Sequence, residues 1–95
     1  MLNFSLMGAG RIGKMHAGII DAHPDCKIQF IYDINQEFVN DLSSKYGATV
    51  ATSSNEALTS ENVDAILIAS ATPTHTEFIT KGSNAGKAIF CEKPI

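Results

Sequence analysis

The sequence predicts an α/β fold, a doubly wound parallel sheet of about five strands in the order 3-2-1-4-5. Three observations favour this class. Short apolar runs alternate with helical patterns along all 95 residues, the turn Gly8-Ala9-Gly10-Arg11-Ile12-Gly13 follows the first run, and Asp33 follows the second. A glycine turn between a strand and a helix, with an acidic residue about 20 positions further on, is typical of a βαβ unit that binds a dinucleotide.

The predicted strands are short apolar runs, as expected where helices cover both faces of a parallel sheet. They comprise residues 3–7, 26–32, 49–52, 64–69 and 88–91. The fourth run, Asp64-Ala65-Ile66-Leu67-Ile68-Ala69, gives the strongest strand signal and is expected inside the sheet.

The helices are predicted from apolar spacing and from capping residues. They comprise residues 11–22, a helix between the N-cap Asn35 and Gly47, a short turn over 56–58 capped by Ser54 or Asn55, and residues 73–85 with Thr72 as N-cap. The side chains expected to face the sheet are Ile12, Met15, Ile19 and Ile20 in the first helix, Phe38, Leu42 and Tyr46 in the second, and Phe78 and Ile79 in the last.

Each glycine of the first turn has a predicted physical role. Gly8 permits the tight turn, Gly10 lets the backbone approach a pyrophosphate, and Gly13 lets the helix pack closely on the strand. The anion would then lie at the N-terminus of the first helix, where unpaired N–H groups and the helix dipole favour negative charge.

Composition narrows the classes of function. A formal charge of −3, with 44% hydrophobic and 18% charged residues, argues against nucleic acid and anionic membrane as partners. No apolar run approaches the ~20 residues of a membrane span, so the cytoplasm is the expected compartment. Cys26 and Cys91 form no C-x-x-C pair and are expected to be buried free thiols, with no metal site.

Three separated motifs carry a family resemblance: Gly8-Ala9-Gly10-Arg11-Ile12-Gly13, Ala71-Thr72-Pro73-Thr74-His75, and Cys91-Glu92-Lys93-Pro94. Together with Asp33-Ile34-Asn35-Gln36, they resemble the glucose-fructose oxidoreductase and inositol 2-dehydrogenase family of NAD(P)-dependent oxidoreductases, and most of all its inositol 2-dehydrogenase branch. The resemblance covers the chain but only the N-terminal Rossmann domain of a family member. Residues 1–95 are therefore expected to form one dinucleotide-binding domain, truncated relative to the family and without its substrate domain.

The resemblance implies hydride transfer between a polyol or sugar hydroxyl carbon and NAD. It implies cofactor contacts from the loop that follows the fourth strand and from Glu92, which would meet the nicotinamide ribose. Lys93 is the implied catalytic residue, because a fixed ammonium near the nicotinamide would favour the developing alkoxide. The loop implied to line the cofactor begins at Ser70, and the residues singled out as cofactor contacts are Gly8, Ala9, Gly10, Arg11, Ile12, Asp33, Ile34, Ala71, Thr72, Pro73, His75 and Glu92.

Asp33 is the residue expected to select the cofactor. A carboxylate at the end of the second strand accepts the ribose hydroxyls of NAD and repels the 2′-phosphate of NADP, and Ile34 offers no compensating positive charge. The alternative is that Asp33 makes only local backbone bonds. Arg11 is interpreted either as a phosphate contact or as a solvated helical side chain, and His75 is expected to be hydrogen-bonded.

The family's proton-accepting residues lie in the substrate domain, so this chain by itself is expected to turn over substrate poorly. A polyol or sugar would bind only if a substrate domain were supplied. The unpaired edge of the fifth strand predicts a homo-oligomer or a second chain there. Two alternatives from other classes remain, a non-catalytic nucleotide-sensing module and an inactive truncated remnant.

Overall fold

The computed structural model describes residues 1–70 and 72–91, with Thr72 described by its backbone alone. Strands and helices alternate along this part of the chain. In order they are β1 (Leu2–Met7), α1 (Arg11–Ala22), β2 (Cys26–Tyr32), α2 (Gln36–Tyr46), β3 (Thr49–Val50), α3 (Ser54–Thr59), β4 (Ala65–Ile68), a 3₁₀ turn (Thr72–Thr74), α4 (His75–Asn84) and β5 (Ala88–Cys91).

The strands form a parallel sheet in the order β3-β2-β1-β4-β5, which confirms the predicted topology. Met7 at the end of β1 pairs with Tyr32 on one side and with Ile68 on the other. The carboxyl ends of β1, β2 and β4 therefore lie at one level, beside the point where the strand order reverses. Open α/β sheets bind their ligands in the crevice at this point.

Helices cover both faces of the sheet because successive side chains on each strand point to opposite sides. Leu6 packs with the residues of α1 and α2, whereas its neighbour Met7 packs with those of α3 and α4. Ile66 and Ile68 of β4 are completely buried, as predicted for a strand inside the sheet.

The inward face of α1 differs from the prediction. Gly13, Ala17 and Ile20 are buried, whereas Ile12, Met15 and Ile19 are 40%, 50% and 60% exposed. The helix begins so close to the preceding turn that a Cβ on Gly13 would collide with the Gly8 carbonyl oxygen. Only small side chains fit at this contact, and the larger apolar residues are consequently rotated outward.

The second helix differs from the prediction only at Phe38, because Leu42 is buried and Tyr46 packs against the core as predicted. Val39 and Leu42 are buried, whereas Phe38 is 36% exposed and the Lys14 ammonium lies 5.1 Å from its ring centroid. The predicted caps are confirmed, because the Asn35 side chain accepts the Phe38 N–H and Gly47 ends the helix in a left-handed conformation.

The starts of α3 and α4 were predicted wrongly. Ser53, and neither Ser54 nor Asn55, caps α3, since its hydroxyl accepts the Glu56 N–H at 3.1 Å. Pro73 lies in the 3₁₀ turn and α4 begins two residues later, at His75. Such turns are common where helices begin. Phe78 is buried and Ile79 packs on the core, as predicted.

Three smaller features complete the fold. The strands β3 and β4 are each shorter than predicted, and Cys26 and Cys91 are thiols outside any disulfide and only half-buried. In the described ranges, no helix has the length and apolar character needed to span a membrane.

Candidate cofactor site

The turn after β1 passes directly against the end of β4. The Gly8 N–H donates to the Tyr32 carbonyl at 2.8 Å, and Gly8 has φ +112°, a conformation that other residues rarely adopt. A Cβ on Gly8 would stand 2.7 Å from the carbonyl carbon of Ala69 and from the Ser70 nitrogen. Glycine therefore lets the ends of three neighbouring strands approach one another.

Gly10 faces the opening of this turn. The space around the position that a Gly10 Cβ would take is open. Apart from the chain neighbours of Gly10 and the backbone of its own helix, no heavy atom of the described residues lies within 4 Å of that position. Gly10 is the N-cap of α1 and provides no side-chain cap, and the first turn of that helix contains no acidic residue. The first amides of an α-helix have no partner within the helix, so this end of α1 can bind an anion such as a pyrophosphate.

Asp33 connects the end of β2 to the glycine turn. Its Oδ2 accepts the Ala9 N–H at 2.7 Å, and its Oδ1 accepts the Asn35 N–H at 2.9 Å. Asp33 therefore makes more than local backbone bonds, because its hydrogen bond with Ala9 reaches the turn that follows β1. Since each carboxylate oxygen accepts about two hydrogen bonds, both oxygens retain capacity for the hydroxyls of a ribose.

These groups line a cleft of about 280 Å³ at the carboxyl ends of β1, β2 and β4. This volume is close to the lower limit of about 300 Å³ for small-molecule sites, as suits one nucleoside of a dinucleotide. Ile34 is 88% exposed, and the rings of Tyr32 and Phe78 meet edge to face with centroids 6.4 Å apart. The lining residues are Gly8, Gly10, Tyr32, Asp33, Ile34, Ala69, Ser70, Thr74 and Phe78.

A larger cleft, of about 590 Å³, contains neither the glycine turn nor Asp33. Its lining is mostly apolar and includes Ile19 and Ile20 of α1, Leu67 of β4 and Phe90 of β5. Its polar lining residues are His16, His23, Cys26 and Cys91, so it has no carboxylate to accept ribose hydroxyls and no glycine turn to hold a pyrophosphate. The smaller cleft is therefore the candidate cofactor site.

Apart from His75, the predicted site residues divide into those that line the cleft, those that do not, and those outside the described residues. Gly8, Gly10, Asp33 and Ile34 line the cleft together. Ala9 is completely buried and contributes its N–H to Asp33, while Arg11, Ile12 and Pro73 are exposed and are not among the lining residues. The predictions for Ala71, the Thr72 side chain, Glu92 and Lys93 lie outside what the structure describes.

The position of His75 differs from the predicted cofactor contact. The side chain is 4% exposed and lies behind the cleft wall, where Nε2 is 2.9 Å from the Ser70 carbonyl oxygen. Its Nδ1 is 3.4 Å from Cys91 Sγ. The prediction of a hydrogen-bonded histidine is confirmed, but a buried ring in this position supports the cleft instead of lining it.

Four lining residues were not selected from the sequence: Tyr32, Ala69, Thr74 and Phe78. Two of them carried a usable signal, because Tyr32 precedes the singled-out Asp33 and Thr74 belongs to the motif after β4. Phe78 lies one helical turn beyond Thr74. It was predicted to be a core residue facing the sheet, and a role at the cleft was therefore not expected. Among the described residues, no group of three or more His, Cys, Asp or Glu side chains is placed to hold a metal ion.

Comparison with known proteins agrees with this geometry. Residues 2–95 match the model of a family described as an oxidoreductase family with an NAD-binding Rossmann fold. The inositol 2-dehydrogenase of Rhizobium meliloti (strain 1021) is 39% identical over 95 residues. That match covers 99% of this chain and 28% of the relative, so the chain spans about a quarter of that protein's length.

Solved structures show the same similarity. A myo-inositol dehydrogenase from Corynebacterium glutamicum ATCC 13032 superposes with a TM-score of 0.93 at 39% identity, covering 100% of this chain and 28% of that one. The scyllo-inositol dehydrogenase from Lactobacillus casei, solved with bound NAD(H) and scyllo-inositol, superposes with a TM-score of 0.90 at 27% identity. That match covers 99% of this chain and 28% of the relative.

Proposed function

Because the chain belongs to the oxidoreductase family with an NAD-binding Rossmann fold, we propose that it is the cofactor-binding domain of a polyol or sugar dehydrogenase. The reaction would transfer a hydride between a hydroxyl-bearing carbon and NAD, as the names of its inositol dehydrogenase relatives suggest. The observation that carries the proposal is the meeting of the glycine turn and Asp33 in one cleft.

The residues of the cleft fit the adenosine half of NAD. The pyrophosphate would lie at the N-terminus of α1, where the position of a Gly10 Cβ is open. Asp33 would accept the ribose hydroxyls with the acceptor capacity that Ala9 and Asn35 leave, and Ile34 offers an exposed apolar surface to the base. When bound, NAD supplies the hydride acceptor, while this chain's residues bind and orient it.

The same carboxylate supports NAD over NADP. Two backbone N–H groups hold Asp33 in place, so it cannot turn away from a 2′-phosphate without losing both hydrogen bonds. The following residue, Ile34, is apolar and offers no charge to neutralise the phosphate. We therefore propose NAD as the preferred cofactor.

The catalytic part of the proposal depends on Lys93, which lies outside the described residues. Lys93 is proposed to favour the developing alkoxide near the nicotinamide, with Glu92 at the adjacent ribose. Three further features stay predictions: a polyol pocket, a second chain at the outer edge of β5, and a cytoplasmic location. The chain spans about a quarter of the length of these relatives. A polyol or sugar substrate is therefore proposed from their names.

Isothermal titration calorimetry of the chain with NAD and with NADP, at one salt concentration, tests the proposal. We expect saturable NAD binding, with NADP at least about tenfold weaker because its phosphate meets Asp33. Adenosine serves as the control ligand, since it lacks the pyrophosphate and should bind far more weakly than NAD. Absence of NAD binding by a chain with a cooperative unfolding transition would contradict the proposed function.

A further inference from the structure

His75 joins two strand ends from behind the cofactor cleft. It is the first residue of α4 and is 4% exposed. One ring nitrogen lies 2.9 Å from the Ser70 carbonyl oxygen, two residues after β4, and the other lies 3.4 Å from the sulfur of Cys91, the last residue of β5. The ring therefore bridges the segments that leave two neighbouring strands.

The chemistry of the two contacts determines the direction of each hydrogen bond. A carbonyl oxygen only accepts, so Nε2 carries the hydrogen and donates it to Ser70. In a neutral imidazole the other nitrogen is then an acceptor, which places Nδ1 opposite the S–H of Cys91. With both ring nitrogens engaged, the orientation of the His75 ring is defined.

The Ser70 end of this bridge reaches the cofactor cleft. Ser70 and Thr74 both line the cleft, and their hydroxyl oxygens are 2.7 Å apart. His75 follows Thr74 directly and anchors the Ser70 carbonyl, so the ring supports the wall that these two residues form. Asp33 belongs to the same cleft, which makes this the wall of the proposed adenosine site.

We propose that His75 is a positioning residue for cofactor binding, which it promotes by holding the part of the cleft wall formed by Ser70 and Thr74 through its Nε2 hydrogen bond. The inference rests on the proposed function, since it assigns the cleft to the adenosine half of NAD. His75 itself does not line the cleft, and its effect is transmitted by Ser70. The Cys91 contact sets the ring orientation and is the weaker of the two, because a thiol is a weak donor.

Two substitutions separate the hydrogen bond from the volume of the ring. His75→Leu fills much of the same space without a donor, whereas His75→Gln can place an amide N–H where Nε2 now lies. We expect His75→Leu to weaken binding of both NAD and adenosine diphosphate about tenfold, because the half-buried Ser70 carbonyl loses the donor that holds it in place. His75→Gln should retain affinity within about threefold of the parent chain.

His23→Leu is the matched control, since this exposed histidine accepts the Asp25 N–H at 3.2 Å and does not line the cofactor cleft. Its NAD affinity should equal that of the parent chain. Parent-like affinity in His75→Leu would overturn the inference while leaving the proposed function intact. Equal weakening in His75→Leu and His75→Gln would also overturn it, because the Ser70 hydrogen bond would then not be the cause.

The tautomer of His75 provides a readout that needs no cofactor. Long-range ¹H–¹⁵N NMR spectra of the uniformly labelled chain should show the hydrogen on Nε2, and spectra of His75→Gln should identify the signal by its loss. A ring with its hydrogen on Nδ1 and none on Nε2 would overturn the inference even if His75→Leu failed to fold, because Nε2 could not then donate to Ser70. Failure of the parent chain to bind NAD would instead refute the proposed function, and the tautomer would still decide whether His75 holds the wall.

Discussion

Two clefts lined by the described residues differ in size and in chemistry, and the smaller one is the candidate cofactor site. The cleft near Asp33 encloses about 280 Å³, whereas the apolar cleft between α1 and β5 encloses about 590 Å³. Only the smaller one combines the glycine turn with a carboxylate held by two backbone N–H groups.

This difference shows why volume alone does not identify a site. The larger cleft lies beside exposed apolar side chains, with Ile19 at 60% and Phe90 at 53% exposure. Apolar surface of this kind contributes burial energy to whatever covers it but does not orient a charged dinucleotide. Recognition of a pyrophosphate and a ribose instead needs backbone amides and a fixed acceptor.

Of the substitutions in the two clefts, Gly10→Val should cause the largest loss of NAD affinity. We expect it to weaken NAD binding at least about 100-fold, because its side chain would occupy the space proposed for the pyrophosphate. The chain should still fold, because only open space surrounds the Cβ position among the described residues. Titration calorimetry and circular dichroism measure the two effects.

Gly18→Ala is the control on the same helix, where the one described neighbour that a Cβ would meet is the Tyr46 hydroxyl, at an ordinary 3.5 Å. It should leave NAD affinity unchanged. If the folded Gly10→Val chain bound NAD like the parent, the assignment of the glycine turn to the pyrophosphate would be wrong.

Asp33→Ser should have an intermediate effect. We expect NAD affinity to fall about tenfold and the discrimination against NADP to shrink, because the ribose loses its acceptor and the 2′-phosphate loses its repulsion. Titrations of the parent and variant chains with both cofactors measure the change.

Asp64→Ser provides a matched control at the opposite end of the sheet. The Asp64 carboxylate accepts the Asn3 N–H at 2.9 Å, much as Asp33 accepts that of Ala9. Both variants lose backbone hydrogen bonds, but only Asp33→Ser should change cofactor affinity. Identical NAD affinities for the two variants would remove Asp33 from the site.

Phe90→Ser should have the smallest effect on cofactor binding. Phe90 lines the apolar cleft, where its ring centroid is 6.1 Å from that of Phe4. Loss of this contact should lower the free energy of unfolding by about 1 kcal/mol and leave NAD affinity within about twofold. Chemical denaturation and calorimetry test the two parts. A large loss of NAD affinity would indicate that the apolar cleft takes part in cofactor binding.

The order of elements and the meeting of the glycine turn with Asp33 in one cleft could be predicted from local patterns. The strand order, the helix caps at Asn35 and Gly47, and the placement of Gly8, Gly10 and Asp33 depend on residues close in sequence or on general rules of parallel sheets. These features need no knowledge of distant contacts. The sequence by itself therefore determined the topology and the location of the cleft.

Only the tertiary structure decided how the helices are rotated and what lies behind the cleft. Periodicity identified an apolar stripe on α1, but the close approach of Gly13 to the Gly8 carbonyl turned Ile12, Met15 and Ile19 outward. In the same way, His75 and Cys91 are 16 residues apart and meet only because β5 lies beside β4. Contacts between distant segments depend on packing in three dimensions, which a pattern within one segment cannot specify.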